Sequence, residues 1–320
     1  MVSAHAHRAS PLLSHAELER AARLLMVRSR REASSAFAGS YRSAFRGGGV
    51  EFEESRPYVP GDDVRSIDWN ALARTDIPYV KRFREERDQT VVLAMDTSGS
   101  MGFGGSGSSN AAAAARVAGL LTAAATRAGD RVGLVCFDSR VREEIGPGRG
   151  EGHSWRILSA LVRAAGDSRG QTALESAVAR IRASVRRRSI VFLISDFRDD
   201  AFFAPIPARD SGRGALVALA AAHDVVAILV HDPRETEIPP VGTVRLQDPE
   251  QPGRTLVFSS RRRRARERYR AACAVRRRAL SRRLRADGLD VLELCSNREP
   301  LRALTRFFES HVGSRARRAP

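Results

Sequence analysis

The chain is short of residues that could tie it together covalently or through a metal-thiolate site. Its three cysteines, Cys136, Cys273 and Cys295, lie far apart and form no Cys-x-x-Cys pair. That spacing excludes a disulfide framework and a thiolate zinc site. Each cysteine sits in an apolar context and is read as reduced and buried. The seven histidines show no metal-binding spacing, and the His5/His7 pair falls in a polar tail read as unstructured. Long apolar runs are missing as well. The longest candidate, residues 215–230, is interrupted by His223 and Asp224, too soon for the roughly 18 residues a membrane-crossing helix needs. The N-terminus lacks the apolar core of a signal peptide, so a cytoplasmic, soluble protein is expected.

Lysine is almost absent. Of 54 basic residues only Lys81 is lysine, and the formal net charge is +17. Such an arginine preference, in a chain rich in alanine, points to genomic base composition as much as to function. A positive surface still favours acidic partners. Charge alone is a weak argument for nucleic acid, which is not the preferred partner here.

Several catalytic signatures are missing too. There is no Gly-Lys-Ser/Thr phosphate loop, and no Gly-x-Ser-x-Gly elbow surrounds a candidate nucleophile. No histidine stands in a predicted loop where it could act as a base beside the serines described below.

What is present is enough for one large domain and a smaller one. The chain has 320 residues, 42% hydrophobic and 28% charged, the balance of a folded globular protein. Residues 1–36 read as a polar tail and an amphipathic helix opened by Ser14-x-x-Glu17, a capping box. Residues 37–88 read as a small strand-rich subdomain around the Pro60-Gly61 turn, with a strand over 79–83. Residues 89–312 alternate strand and helix, and 313–320 form a basic tail. Short β-branched runs at 90–96, 131–137, 189–195, 224–230 and 289–295 predict strands. A further short strand is expected near 243–247. Helices are expected at about 110–128, 154–165, 172–186, 213–223, 260–286 and 298–311. The fold class is therefore α/β: a mainly parallel sheet with helices on both faces, plus the strand-rich N-terminal subdomain.

Five oxygen-bearing side chains stand at the ends of predicted segments. Asp96, Ser98 and Ser100 follow the run Thr90–Met95. Thr172 opens a helix in Gly170-Gln171-Thr172-Ala173-Leu174. Asp196 follows the run Ile190–Ser195. Ligands of open α/β sheets collect at the carboxyl ends of strands. Hydroxyl and carboxylate oxygens with few formal charges suit a hard cation that keeps part of its water, which describes Mg²⁺, or Mn²⁺ in its place. Serine and aspartate also favour helix caps and turns, so the short motif alone is a weak signal.

The order Asp-x-Ser-x-Ser, then Thr, then Asp resembles the metal-ion-dependent adhesion site of von Willebrand factor A domains. The resemblance implies that Ser98, Ser100 and Thr172 bind Mg²⁺ directly, while Asp96 and Asp196 act through water or hydrogen bonds. It also implies a docking point that takes a partner's carboxylate rather than a catalyst. The segment Arg56-Pro57-Tyr58-Val59-Pro60-Gly61-Asp62-Asp63-Val64-Arg65-Ser66-Ile67-Asp68-Trp69, with Ala73-Arg74 and Ile194-Ser195-Asp196-Phe197, is similar to the bacterial domain-of-unknown-function family number fifty-eight over roughly residues 40–310. That resemblance implies a MoxR-type AAA+ ATPase partner and a chaperone-like role toward a client enzyme complex, possibly a dehydrogenase. Many members carry two membrane helices before the Pro-Gly-Asp-Asp stretch; this chain has none there, and the loop after Thr172 lacks the acidic or Asn residue often found in the family.

Rival readings remain open at this level. Gly102-Phe103-Gly104-Gly105-Ser106-Gly107 fits Gly-x-Gly-x-x-Gly between a strand and a helix. It starts too far past the strand, and the acid expected about twenty residues on is missing, so a flexible loop is preferred over a dinucleotide- or metal-dependent enzyme. Helix 260–286 carries thirteen arginines between Arg261 and Arg285. Ala265, Tyr269, Cys273, Leu280 and Leu284 form its apolar face, which favours a solvated Arg surface over a nucleic-acid binder. Arg56, Asp62, Asp63, Arg65 and Asp68 are read as a salt-bridged platform, and Trp69 as core.

Overall fold

The computed structural model describes residues 15–45, 50–63, 66–85, 89–105, 108–199, 212–250, 253 and 255–315. In chain order the elements begin with helices α1 (His15–Glu32) and α2 (Ser35–Phe45), strand β1 (Val50–Pro57), helix α3 (Trp69–Thr75) and strand β2 (Tyr79–Glu85). Strand β3 (Thr90–Asp96) follows, then the two-residue strands β4 (Gly104–Gly105) and β5 (Ser108–Ser109) and helix α4 (Asn110–Ala128). Next come β6 (Arg131–Phe137), β7 (Val141–Gly148), α5 (Glu151–Gly166), α6 (Leu174–Ser184), β8 (Ile190–Ser195), α7 (Gly212–Ala222) and β9 (Asp224–His231). The chain continues through β10 (Thr243–Gln247), β11 (Thr255–Ser259), α8 (Arg263–Ala286), β12 (Asp290–Cys295) and α9 (Pro300–Arg315).

Six strands form the central sheet in the order β12-β9-β8-β3-β6-β7. Every neighbouring pair is parallel except β6 with the edge strand β7. The continuous apolar runs explain the placement. β3 and β8 sit in the middle and are buried on both faces, which only a sheet covered by helices on each side can provide. Alternate residues feed two cores. Val91, Leu93 and Met95 join α2, α4, α5 and α9 on one face, while Val92 and Ala94 join α6, α7 and α8 on the other.

Helix α4 shows how local sequence fixes an element. Ser109 caps its start by accepting the Ala112 amide at 3.1 Å, and Gly129 ends it at φ 84°, a conformation glycine adopts without steric cost. Its alanines allow close approach to the sheet.

Several differences from the sequence reading have clear causes. Residues 35–45, placed partly in the strand-rich subdomain, form α2 instead. Phe37, Tyr41 and Phe45 are buried in the main core, where they pack with Phe192 and Phe308 at ring-centroid distances of 5.5–5.8 Å. Their spacing of four residues places them on one helical face. The remaining N-terminal segment is small: β1 and β2 form an antiparallel pair, with α3 between them in sequence. Arg56 pairs with Asp62 at 2.6 Å and Asp68 caps α3, so part of the expected platform is present. Arg65 lies outside the described residues, as do Ser14, His5 and His7. Trp69, expected in the core, is 62% exposed. Only Cys136 is fully buried. Cys273 and Cys295 are half-buried on α8 and β12, and all three are free. Edge strand β7 was missed because its charged residues and Pro147 obscure any alternation; proline in a sheet belongs at an edge. Among the described residues, no helix is long and apolar enough to cross a membrane.

Candidate metal centre

Strand order reverses around β3: β6 lies on one side and β8 on the other. This switch point opens a crevice at the carboxyl ends of β3 and β8. All five residues read from sequence gather there. Asp96 is the last residue of β3, and Ser98 and Ser100 lie in the turn after it. Asp196 follows β8, and Thr172 stands in the loop before α6. Ser98 and Asp96 are fully buried, Ser100 is 1% exposed, Thr172 6% and Asp196 7%.

Backbone contacts fix the loops. The Ser98 amide donates to Asp96 Oδ1 at 2.8 Å, which curls the chain back over the strand end. The Gly99 amide reaches the Gly170 carbonyl at 2.9 Å, and the Arg169 amide reaches the Thr97 carbonyl at 2.9 Å. Two loops that are distant in sequence are thereby tied edge to edge. Gly170, at φ 81°, makes the turn that presents Thr172.

The side chains converge on one small volume. Thr172 Oγ1 lies 2.9 Å from Ser98 Oγ, 3.3 Å from Asp96 Oδ2 and 2.8 Å from Glu250 Oε1. Ser98 Oγ and Ser100 Oγ are 3.2 Å apart. A threonine hydroxyl has one proton, so it cannot donate to three oxygens together. Asp196 Oδ2 is buried with no hydrogen bond, although Arg198 Nε stands 3.2 Å away as an ion-pair partner. A cation placed here would meet the hydroxyl oxygens and Asp196 Oδ2 together. The donor set, hydroxyls with flanking carboxylates, fits a hard divalent ion such as Mg²⁺. Among the described residues no group of three or more His, Cys, Asp or Glu gathers for a metal, so the fit depends on the hydroxyls.

Electrostatics point the same way. Burial, then the nearby Asp196 charge, pushes the Asp96 carboxyl up to about 7, against hydrogen bonds from Ser195 and Ser98 that pull it down. Burial also raises Asp196, to about 6. Arg198 opposes that shift, and Glu235 and Glu250 add to it. Two buried carboxyls that resist ionisation form a site in which positive charge is missing.

Five participants escaped the sequence reading. Ser195 donates to Asp96 Oδ2 at 2.5 Å and accepts the Phe197 amide at 2.8 Å. Arg198 links Asp196 to Glu235, with its Nη2 2.7 Å from Glu235 Oε2. Asn110 Nδ2 donates to Glu235 Oε1 at 2.7 Å, joining the start of α4 to the same network. Glu250 comes from the β10–β11 hairpin. Of these, only Ser195 carried a sequence signal, its place at a strand end beside Asp196. Gly104 and Gly105 of the Gly-rich stretch form β4, paired with β5, and Ser106 and Gly107 lie outside the described residues.

Comparison with known proteins gives the chain its kin. Over 297 residues it is 32% identical to an uncharacterized protein of Mycobacterium tuberculosis strain H37Rv, covering 92% of this chain and 90% of the relative. The BatB protein of Bacteroides thetaiotaomicron, at 16% identity, aligns with 70% of this chain and 99% of its own, with a TM-score of 0.41. An aerotolerance-related membrane protein of Bacteroides fragilis, at 14% identity, aligns with 71% and 99%, with a TM-score of 0.43. Residues 54–279 match the family described as "Protein of unknown function DUF58". With that match and the mycobacterial relative, this chain belongs to the DUF58 family.

Proposed function

We propose that this protein is a non-enzymatic, Mg²⁺-dependent protein-interaction module of the von Willebrand factor A type. In this reading it is an adaptor for a MoxR-type AAA+ ATPase during the maturation or activation of a client enzyme complex. The observation that carries the proposal is the buried cluster of hydroxyl and carboxyl oxygens at the sheet's switch point. Ser98, Ser100 and Thr172 would hold the cation, with Asp96 and Asp196 orienting it. When bound, Mg²⁺ or Mn²⁺ would supply an electrophilic point for one more anionic oxygen. The chain's own residues do the rest. Ser195 and the Ser98 amide fix the Asp96 carboxylate, Arg198 restrains Asp196, and the Gly99–Gly170 contact holds Thr172 in register. Because the hydroxyl donors are neutral, they leave the ion able to accept a partner's Asp or Glu.

The exposed Arg side chains of α8 support an acidic partner surface by charge. The test is capture from native lysate with Mg²⁺ or with EDTA, using the wild type and Asp96→Ala. A MoxR-type ATPase and an enzyme complex retained only by the wild type with Mg²⁺ are expected. Equal capture by Asp96→Ala would sink the proposal. Capture only of nucleic acid, lost as salt rises, would replace it with the nucleic-acid reading.

A further inference from the structure

The hairpin β10–β11 stands apart from the central sheet as its own antiparallel pair. No residue of either strand is fully buried, and Leu256 and Val257 are 52% and 54% exposed. Its base is held by Ser260, whose hydroxyl accepts the Val241 and Gly242 amides at 3.0 and 3.2 Å, and by Phe258 stacked on Tyr269 of α8. A cleft of about 470 Å³ runs between hairpin and helix, lined by Arg198, Leu246, Tyr269 and Arg276 among others. Without a core of its own, the hairpin depends on polar contacts at its tip for its position.

Among the described residues, the tip reaches the loops of the candidate metal centre. Both carboxylate oxygens of Glu250 engage Thr172: Oε1 accepts the hydroxyl at 2.8 Å and Oε2 accepts the amide at 3.0 Å. Gln171 Nε2 donates to the Glu250 carbonyl at 3.2 Å. Asp248 Oδ1 accepts the Glu250 amide at 3.0 Å and shapes the tip. The Pro249 carbonyl lies so close over Gly99 that a Cβ there would stand 2.9 Å from its oxygen. The tip therefore sits over the loop that carries Ser98 and Ser100 and places the Glu250 carboxyl group beside Thr172.

We propose that Glu250 is a built-in carboxylate ligand of this centre and that it latches the β10–β11 hairpin over the site. This rests on the metal-binding reading above. Glu250 occupies the role assigned there to a partner's carboxylate, so an incoming Asp or Glu must displace it and release the hairpin. The centre is then self-occupied at rest, and weak acidic surfaces are rejected in favour of partners that also engage the exposed hairpin.

The test uses the full chain and Mn²⁺ as the probe, with wild type, Glu250→Gln and Thr172→Ala. Mn²⁺ affinity is read by electron paramagnetic resonance, and amide hydrogen exchange is followed over 243–259 with and without the ion. Glu250→Gln keeps the tip's size but removes the charge and one of the two acceptors that Thr172 engages. The expected result is a Mn²⁺ affinity lower by about tenfold or more, together with faster exchange across the hairpin. Unchanged Mn²⁺ affinity in Glu250→Gln overturns the proposal, and so does unchanged hairpin exchange. The two readings fail in different ways. Absence of Mn²⁺ binding to the wild type defeats the metal centre and the ligand role together. Wild-type binding that is lost in Thr172→Ala but intact in Glu250→Gln keeps the centre and removes Glu250 from it.

Discussion

Ser195→Ala offers a sharp test of how the site is built, because it removes one oxygen that serves two buried partners. Ser195 Oγ donates to Asp96 Oδ2, a bond that favours the ionised carboxylate. It also accepts the Phe197 amide at 2.8 Å. Phe197 is fully buried and held at φ 54°, a left-handed conformation that costs a non-glycine residue energy. Alanine would remove that acceptor from the Phe197 amide and leave Asp96 with one fewer donor. A bond to a charged group is worth about 1.5–3 kcal/mol, and removing an acceptor from a buried amide costs about 1–3 kcal/mol. The two effects share an atom and do not simply add, so a loss of about 3 kcal/mol is expected. For a chain of 320 residues that corresponds to a fall in Tm of about 4–5 °C. Urea denaturation in EDTA at fixed m-value measures it. The Ser195 bond holds the Asp96 carboxyl down, so the loss should be larger at pH 8 than at pH 5. A Ser195→Ala protein within about 0.5 kcal/mol of wild type, or equally destabilised at both pH values, would refute the reasoning.

Two further outcomes follow from the same geometry. Asp96 and Asp196 have folded-state values raised to about 7 and about 6, above those of an unfolded chain. The native state therefore holds more protons through that interval. The contribution of these two groups to metal-free stability should be greatest near pH 4 and fall as pH rises to about 7. Millimolar Mg²⁺ should flatten that fall, and its affinity should rise with pH by up to about tenfold per unit for each proton displaced, hence up to about a hundredfold per unit below pH 6; parallel melts at pH 5, 6 and 7 with Mg²⁺ or EDTA check both. Tyr41→Phe removes the buried bond from Tyr41 to Asp130 Oδ2, 3.0 Å long, and should cost about 1–2 kcal/mol by urea denaturation, since α2 is anchored in the main core. A neutral result would detach α2 from that core.

The five sequence-read residues were legible because each marks the end of a strongly patterned element. The run Thr90–Asp96 can only be a buried strand, and its end must face the crevice. Thr172 could be placed because Gly170 and Leu174 bracket a loop entering a helix. Glu250 was not legible. Its role depends on a hairpin whose second strand, Thr255–Ser259, is short and exposed and so lacks the buried pattern that marks strands. Arg198 and Glu235 were hidden for a related reason: their bonds are made between loops, and local spacing does not encode such meetings. α2 is different, since Phe37, Tyr41 and Phe45 already carried a helical period. The Pro-Gly turn downstream drew attention toward strands instead.

The most direct measurement is calorimetric titration of Mg²⁺ into the full chain, with wild type and Thr172→Ala compared at pH 7.5. The account predicts saturable one-site binding to the wild type, a matching rise in Tm, and loss of both in Thr172→Ala, whose backbone amide and fold remain. No saturable heat with the wild type, or identical binding by Thr172→Ala, would contradict a hydroxyl-built metal centre at the ends of β3 and β8.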